Sequence, residues 1–393
     1  QKKYGAHDIA VTGGFRYTYF SYDNTDLATQ YSTKSEFDKN PVLTSGVGYF
    51  SDITGVEDVW KNMQWYASGE YNYANRYFAT VSLLAEANSR FGDKASGSVK
   101  AFGTRWAIFP SIQLGWVLTN ERWFPKNGLV NYLRVNAGFD MSGNDDISNY
   151  AARTTFSSVR YNDSEIGMQM TNVGNDEIKW ETTSKWNFGA QANMLDNRLG
   201  VGFNYFIHKT KDLLALKSFE TPVGGINNYW TNDGAVKNTG VEVNISAKPV
   251  ATKDWHLEVG ASIGHYKNEV TALANGDYTT SAYGDKNILT AVGKSVGSFY
   301  GYQTADYVFA STEDAAKAGK EHVNSEGKTT TNLYIVDEAG HKIDFVAGDT
   351  HFIDQNGDGE INEQDKVIIG NPNPDFYGNI FATLNWKRFT LNV

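Results

Sequence analysis

The 393-residue chain contains no cysteine. That excludes a disulfide framework, a thiolate metal centre and a cysteine nucleophile. Long apolar runs are missing as well: nowhere do about 18 or more apolar residues follow one another, so no segment has the makings of a transmembrane helix. Basic residues are the minority sign, 35 against 45 acidic, for a net charge of −10. A nucleic-acid binder needs a basic stripe to neutralise phosphates, so nucleic acid is not expected as a partner. Proline is scarce, at 7 residues. What the chain has in plenty is aromatic side chains (23 Tyr, 22 Phe and 10 Trp) and glycine, at 38. The mean hydropathy of −0.46 fits a soluble acidic β protein. It also fits a transmembrane barrel, whose apolar residues alternate with polar ones and escape any average.

The patterning has period two almost throughout. Val11, Gly13, Phe15, Tyr17 and Tyr19 alternate with Thr12, Gly14, Arg16 and Thr18. The same rhythm recurs from Met63 to Tyr73, Tyr77 to Ala85, Trp106 to Leu118, Leu133 to Phe139 and Trp186 to Ala192. It returns from Leu199 to Ile207, Val241 to Ala247, Trp255 to Ile263 and Phe376 to Trp386. Strict alternation over such lengths predicts strands with one apolar and one polar face. One helical exception is expected in the Ala-rich stretch from Thr312 to Lys320, which opens with Ser311 as a cap.

Two features favour a membrane barrel over stacked sandwiches. Strands of about 11–15 residues exceed the usual 5–6 and suit a tilted crossing of hydrocarbon. Aromatics stand at the ends of the apolar stripes, as in Trp65…Tyr73, Trp106…Trp116 and Phe376…Trp386, like interfacial girdles. The connections also alternate. Short turns fall at Ala74-Asn75, Leu195 to Asn197, Ala251 to Asp254 and Trp386 to Arg388. Long excursions fall at about 22–62, 89–103, 141–177, 212–235 and 269–375. Short turns are expected on the periplasmic side and long loops on the extracellular side. The fold expected is all-β, a transmembrane antiparallel β-barrel in which residues 1–393 form part of one barrel domain. Ten complete strands and the start of an eleventh at Phe389 are expected. Closed bacterial barrels are even-stranded, so these residues are expected to be an interior portion of a longer chain.

The sharpest local motif lies in the 269–375 excursion, from Asp354 to Asp365. Asp354, Asn356 and Asp358 hold loop positions 1, 3 and 5, Gly359 the tight turn at 6, Glu360 a backbone carbonyl at 7, and Asp365 position 12. Hard oxygens in that order point to a structural Ca²⁺. Asp in place of Glu at position 12 looks more like dockerin-type loops, and a metal-free Asp/Asn/Gly turn is the alternative. Catalytic patterns are weak. Gly293-Lys-Ser295-Val-Gly297 has the G-x-S-x-G form without a following helix, and the seven histidines show no metal spacing. No catalytic residue is assigned. Tyr229 and Trp230, in a long loop, are candidates to stack on a sugar ring, or are simply packed.

Taken together, several runs resemble the SusC/RagA family of TonB-dependent outer-membrane transporters. They are Asp354 to Asp365 followed by Val367 to Gly378, Arg105 to Ser111 with Gly115-Trp116, Asn175 to Thr182, Asn238 to Glu242, and Ser89 to Gly92. Glu86-Ala87-Asn88 departs from the Asp-Gly-Ser-type lead-in common there. The resemblance covers essentially the whole chain. It implies a barrel of about 22 strands with a plugged lumen, in the outer membrane of a Bacteroidota-type bacterium. It implies a SusD/RagB-like lipoprotein as lid, energy from a TonB complex through a segment outside these residues, and oligosaccharide or oligopeptide cargo. Inward residues such as Arg134, Asp140, Lys185, Gln191 and Glu242 are then expected to line the lumen or face the plug. A secreted β-rich glycan-binding module with a dockerin-like calcium loop is the alternative.

Overall fold

The computed structural model describes residues 2–29, 51–126, 128–160, 166–274, 276–281, 287–323, 329–337 and 339–393. Its main feature is a sheet of antiparallel strands whose spatial order follows the chain. These are β1 (Lys2–Tyr4), β2 (His7–Thr29), β3 (Ser51–Tyr73), β4 (Tyr77–Asn88), β5 (Thr104–Val117) and β6 (Val130–Asn144). They continue with β7 (Glu181–Met194), β8 (Leu199–Lys211), β9 (Ala235–Ala251), β10 (Trp255–Ala272), β11 (Tyr377–Trp386) and β12 (Phe389–Asn392). Among the described residues no helix is long and apolar enough to cross a membrane. The ten long strands and the final short one match the alternation. Lys2–Tyr4 is an additional strand that the sequence pattern leaves unmarked, because three residues are too few to show a period.

Register turns the alternation into two faces. Val81, Ile112, Phe139, Trp186 and Ile207 are successive partners across β4 to β8. This row is apolar, and Val81, Ile112 and Trp186 are exposed. One residue along, Ser111, Asp140, Lys185, His208 and Asn238 are partners across β5 to β9 on the opposite face. A slip of one residue would exchange the faces, so burial of the apolar row in lipid fixes the register. Two expectations are corrected in detail. The 22–62 excursion is shorter than its polar composition suggests, because β2 and β3 run 23 residues each and stay paired from His7↔Tyr73 to Thr29↔Ser51. At ~3.3 Å per residue such strands exceed a hydrocarbon core of ~30 Å, so the hairpin projects beyond it. Trp106 is no rim residue: the short strand Val99–Ala101 pairs over it and leaves it 7% exposed.

The short-turn rim is an aromatic belt. Ala74 and Asn75 both have φ above +50°, the geometry of a two-residue turn that matches strand twist. Tyr73, Tyr77 and Trp116 stack in succession at 6.2 Å, and Trp123 meets Trp116 edge-on at 6.4 Å. Farther along, Trp255, Trp386 and Phe389 stack at 5.4 and 5.8 Å. Glu121, in the β5–β6 connection, ties the first group together. Its carboxylate accepts from Tyr77 Oη (2.5 Å), Trp116 Nε1 (3.0 Å) and Arg76 (3.2 Å).

A second compact unit comprises residues 267–375. The 269–375 excursion is therefore folded, with Phe309, Ala315, Leu333, Phe345 and Ile361 as its buried core. Ser298–Tyr302 and Thr304–Val308 belong to its small sheets and do not span, as the loop alternation requires. The expected helix is one turn, α1 (Thr312–Ala315), capped by the Ser311 side chain, which accepts from the Asp314 N–H at 3.1 Å.

The three donors on Glu121, the Tyr77 hydroxyl foremost, hold its carboxyl below the usual range. A depressed folded value stabilises above the unfolded value of about 4.3 and is lost as pH falls through the folded one. Glu121→Gln should therefore lower the urea midpoint of the refolded barrel at neutral pH, with the difference from wild type closing below about pH 4. An equal difference at pH 7 and pH 3 would sink this account.

Candidate functional site: the polar wall and its loop cluster

The face opposite the apolar row carries the chemistry. Lys185 Nζ lies 3.6 Å from Asp140, and Arg134 lies over the Phe78 ring at 5.2 Å. Glu242 accepts from Asn204 Nδ2 (3.2 Å) and from Tyr377 Oη (2.8 Å). Around Glu242, a depression of about 600 Å³ is lined by Asn136, Gln191, Asn204, Asn244, Ser262 and Asn379 together with several glycines. The glycines are what make it hollow. The Asn244 amide lies against Gly202 where a Cβ would stand. The wall thus offers amides and hydroxyls in both donor and acceptor roles, with few fixed charges. That suits ligands rich in peptide groups or hydroxyls. All five inward residues expected from the alternation lie on this face; Arg134, Asp140 and Lys185 are engaged in contacts, and Gln191 and Glu242 line the hollow.

At the long-loop rim the connections pack on one another. Phe91, Ala107, Phe109, Ile147, Ala151, Ile178 and Trp180 form a buried cluster, with Leu84, Met141 and Trp230 against it. Phe91 and Trp180 meet at 4.3 Å between ring centroids. Gly92 N–H donates to Ile178 O, and Lys94 N–H to Asp176 O, each at 2.9 Å. Three runs that are far apart in sequence, Ser89 to Gly92, Arg105 to Ser111 and Asn175 to Thr182, are thereby brought to one place. Glu86 beneath them accepts from Asn62 (3.1 Å), Gln64 (3.0 Å) and Trp180 Nε1 (3.1 Å). Ala107 and Phe109 share the strand face of Ser111 and Gln113, and both are buried. Two apolar residues interrupting a polar stripe near a strand end are the signal that a loop folds over it.

Tyr229 and Trp230 lie on Ile226–Asn232, which pairs with Leu214–Val223 in a hairpin. Tyr229 stacks on Phe219 at 4.5 Å, half-buried. Trp230 packs on the loop cluster and its carbonyl accepts from Asn175 Nδ2 at 3.0 Å. The Asp-rich loop folds as nested turns. Asp354 accepts from the Gly357 and Gly359 N–H groups (2.5 and 2.8 Å), Asn356 from Asp358 (3.0 Å) and Asp358 from Glu360 (2.8 Å). Asp365 accepts from Gln355 and Asn362, each at 2.9 Å, and brings the loop's two ends together. Gly357 and Gly359 take φ of +80° and +83°, which side chains other than glycine rarely adopt. Glu360 forms an ion pair with Lys342, and Ile361 is buried in the unit's core. Among the described residues, no group of three or more His, Asp or Glu side chains is gathered with metal-holding geometry. Gly293 to Gly297 is a turn in which Asn373 Nδ2 donates to the Ser295 hydroxyl.

Residues 3–348 match the family described as TonB dependent receptor-like, beta-barrel. The chain belongs to the TonB-dependent receptor β-barrel family. It is similar to TonB-dependent receptor P39 of Formosa agariphila, 28% identical over 98% of this chain and 37% of the relative. It is also similar to TonB-dependent receptor SusC of Bacteroides thetaiotaomicron, 25% identical over 99% of this chain and 35% of SusC. The chain thus spans little more than a third of the length of these curated relatives. In fold it resembles the RagAB peptide transporter, with a TM-score of 0.68 at 21% identity, over 98% of this chain and 38% of that one. The receptor is an outer-membrane β-barrel protein of the SusC/RagA type, and the secreted-module alternative falls with that assignment.

If the loop cluster is set by the close approach of Gly92 to Asp176, its cohesion should fail when that gap is filled. A Cβ on Gly92 meets the Asp176 backbone carbonyl, which cannot rotate away. Gly92→Ala should cost about 1–3 kcal/mol as an overpacking change and open residues 89–103 to protease. An unaltered urea midpoint together with an unaltered cleavage pattern would show that the approach is unimportant.

Proposed function

We propose that the receptor is an active importer of oligosaccharides or oligopeptides, energised through TonB and working with a SusD/RagB-like surface lipoprotein. The observation that carries this reading is the two-faced wall: lipid-facing apolar rows on one side, and on the other a hollow of amides, hydroxyls and glycines around Glu242. Amide-rich surfaces exchange hydrogen bonds with polar cargo without the desolvation cost of fixed charges. The likeness to SusC and to a peptide transporter supports the same reading. The Ser295 turn has no histidine or carboxylate contact among the described residues, and an enzymatic role is not part of this proposal. Uptake of labelled oligopeptides and oligosaccharides by cells carrying or lacking the receptor tests it. Uptake of one class should require the receptor, its partner lipoprotein and the proton-motive force. Equal uptake by receptor-null cells for both classes would overturn it.

We also propose that Asp354, Asn356, Asp358, Glu360 and Asp365 hold a structural Ca²⁺. The donor set is all hard oxygen. Asp354 and Asp365 are 6% and 0% exposed, and neither has an ion-pair partner among the described residues. Each of the two accepts two backbone N–H bonds, which satisfies its oxygens but leaves its net charge without a counter-cation, and a bound divalent ion would supply one. The ion would supply only charge and cross-linking here. Calorimetric titration of the chelator-treated receptor should show saturable Ca²⁺ uptake, weakened at least about tenfold in Asp365→Asn (about 1.4 kcal/mol). No heat at millimolar Ca²⁺ would exclude the site.

A further inference from the structure

On the lipid-facing side, the apolar stripe of β3 and β4 ends abruptly. Trp65 and Met63 on β3 are followed two residues on by Lys61, and Ala85 and Ala87 on β4 by Ser89. Lys61 is paired in register with Tyr19, another residue of the same face, and its Nζ lies 5.8 Å from that ring's centroid. The height of this point follows from the geometry. Lys61 stands twelve residues along β3 from Tyr73, which faces Tyr77 in the aromatic belt of the short-turn rim. At ~3.3 Å per residue and a strand tilt of ~40°, that is about 30 Å along the membrane normal, one hydrocarbon thickness. Tyr19, the register partner of Lys61, and Tyr17 two residues on are exposed aromatics at this level, and Phe15 and Trp65, 4.5 Å apart, lie about 10 Å deeper. Lys61 therefore stands at the headgroup level of the outer leaflet.

There the 145–153 connection builds a pocket of about 260 Å³, lined by Val59, Lys61, Ser89, Asn149, Tyr150 and Arg153. Its hydrogen-bonding capacity is one-sided. Tyr150 Oη accepts from the Val59 N–H (3.2 Å) and Ser89 Oγ accepts from the Lys61 N–H (2.9 Å), which leaves both hydroxyl protons to donate. Asn149 is committed on both sides, donating to Asp58 and accepting from Arg90, each at 2.6 Å. Lys61 and Arg153 are exposed, and among the described residues neither forms an ion pair. No carboxylate lines the pocket. Lys61, seated over the Tyr19 ring, and Arg153 thus line the pocket with two hydroxyl donors and no carboxylate, a set that selects a compact oxyanion with several acceptor oxygens.

We propose that this pocket binds the phosphate of an outer-leaflet lipid headgroup and so anchors the receptor to its lipid annulus. Val59 and Lys61 hold register positions on the lipid-facing side, and the pocket shares no lining residue with the hollow around Glu242. Basic pockets at the interface hold lipid phosphates in the same way.

The test uses the full-length receptor in detergent, with phosphorylated lipid A, its dephosphorylated form and inorganic phosphate as probes, read by native mass spectrometry and by thermal shift. Phosphorylated lipid A should bind and raise the melting temperature. The dephosphorylated form should bind at least about tenfold more weakly, since charge-assisted hydrogen bonds are lost. The double variant Lys61→Gln/Arg153→Gln should show the same loss, and Tyr150→Phe a smaller one, each checked for folding by heat-modifiable migration. Wild-type receptor binding both lipid forms equally overturns the proposal without recourse to any variant. Displacement of the lipid by inorganic phosphate at comparable concentration identifies a free-phosphate site and overturns it too.

Discussion

Hydrocarbon offers no partner to a backbone amide, and that constraint organises everything else in this receptor. Each strand must exchange its N–H and C=O groups with neighbours on both sides. The sequential pairing of β1 to β12 is the direct answer, and it forces side chains into two sets that cannot mix. Lipid takes the set containing Val81, Ile112 and Trp186. The other set is left to water and cargo, and its composition is free to serve a different purpose. Polar side chains cost nothing there, and glycines open hollows between them.

The same constraint separates the two rims. Where strands turn back at once, aromatic rings gather around short turns, and Glu121 gives the rings of Tyr77 and Trp116 a common acceptor. Where the chain leaves the membrane, the sheet no longer satisfies the backbone, and the connections must find partners among themselves. They do so through small hairpins, through asparagines such as Asn175 and Asn232 that bond to main-chain groups, and through the Phe91–Trp180 cluster. The excursion from 267 to 375 goes further and has a core of its own. A lipid-level pocket built from β3 and the 145–153 connection fits this picture, because it lies where the two regimes meet.

Much of this was legible in the sequence because period two is written into every crossing. The ten long strands, the Ala74-Asn75 turn, the inward set from Arg134 to Glu242 and the family likeness all came from alternation and short local runs. The Asp354 to Asp365 loop was legible as a turn because Gly357, Gly359 and the Asx residues act on neighbours a few positions away. What failed were readings that required knowing what covers a strand. Trp106 reads as a rim residue in the sequence, but Val99–Ala101 pairs beside it and buries it, a contact made by a loop that the period of the strand does not encode. The β2–β3 hairpin runs past its period-two stretch because backbone pairing continues from Phe20 to Thr29, where the apolar–polar alternation of the sequence fades.

The sequence by itself determined the class, the faces, the register and the places where the chain turns, since these rest on interactions between residues close in sequence or repeated at a fixed period. Tertiary structure alone decided which distant runs meet: Ser89 to Gly92 against Asn175 to Trp180, Glu242 beneath Tyr377, and Lys61 beside Arg153. Those meetings depend on loop closure across tens of residues, for which local patterning carries no signal.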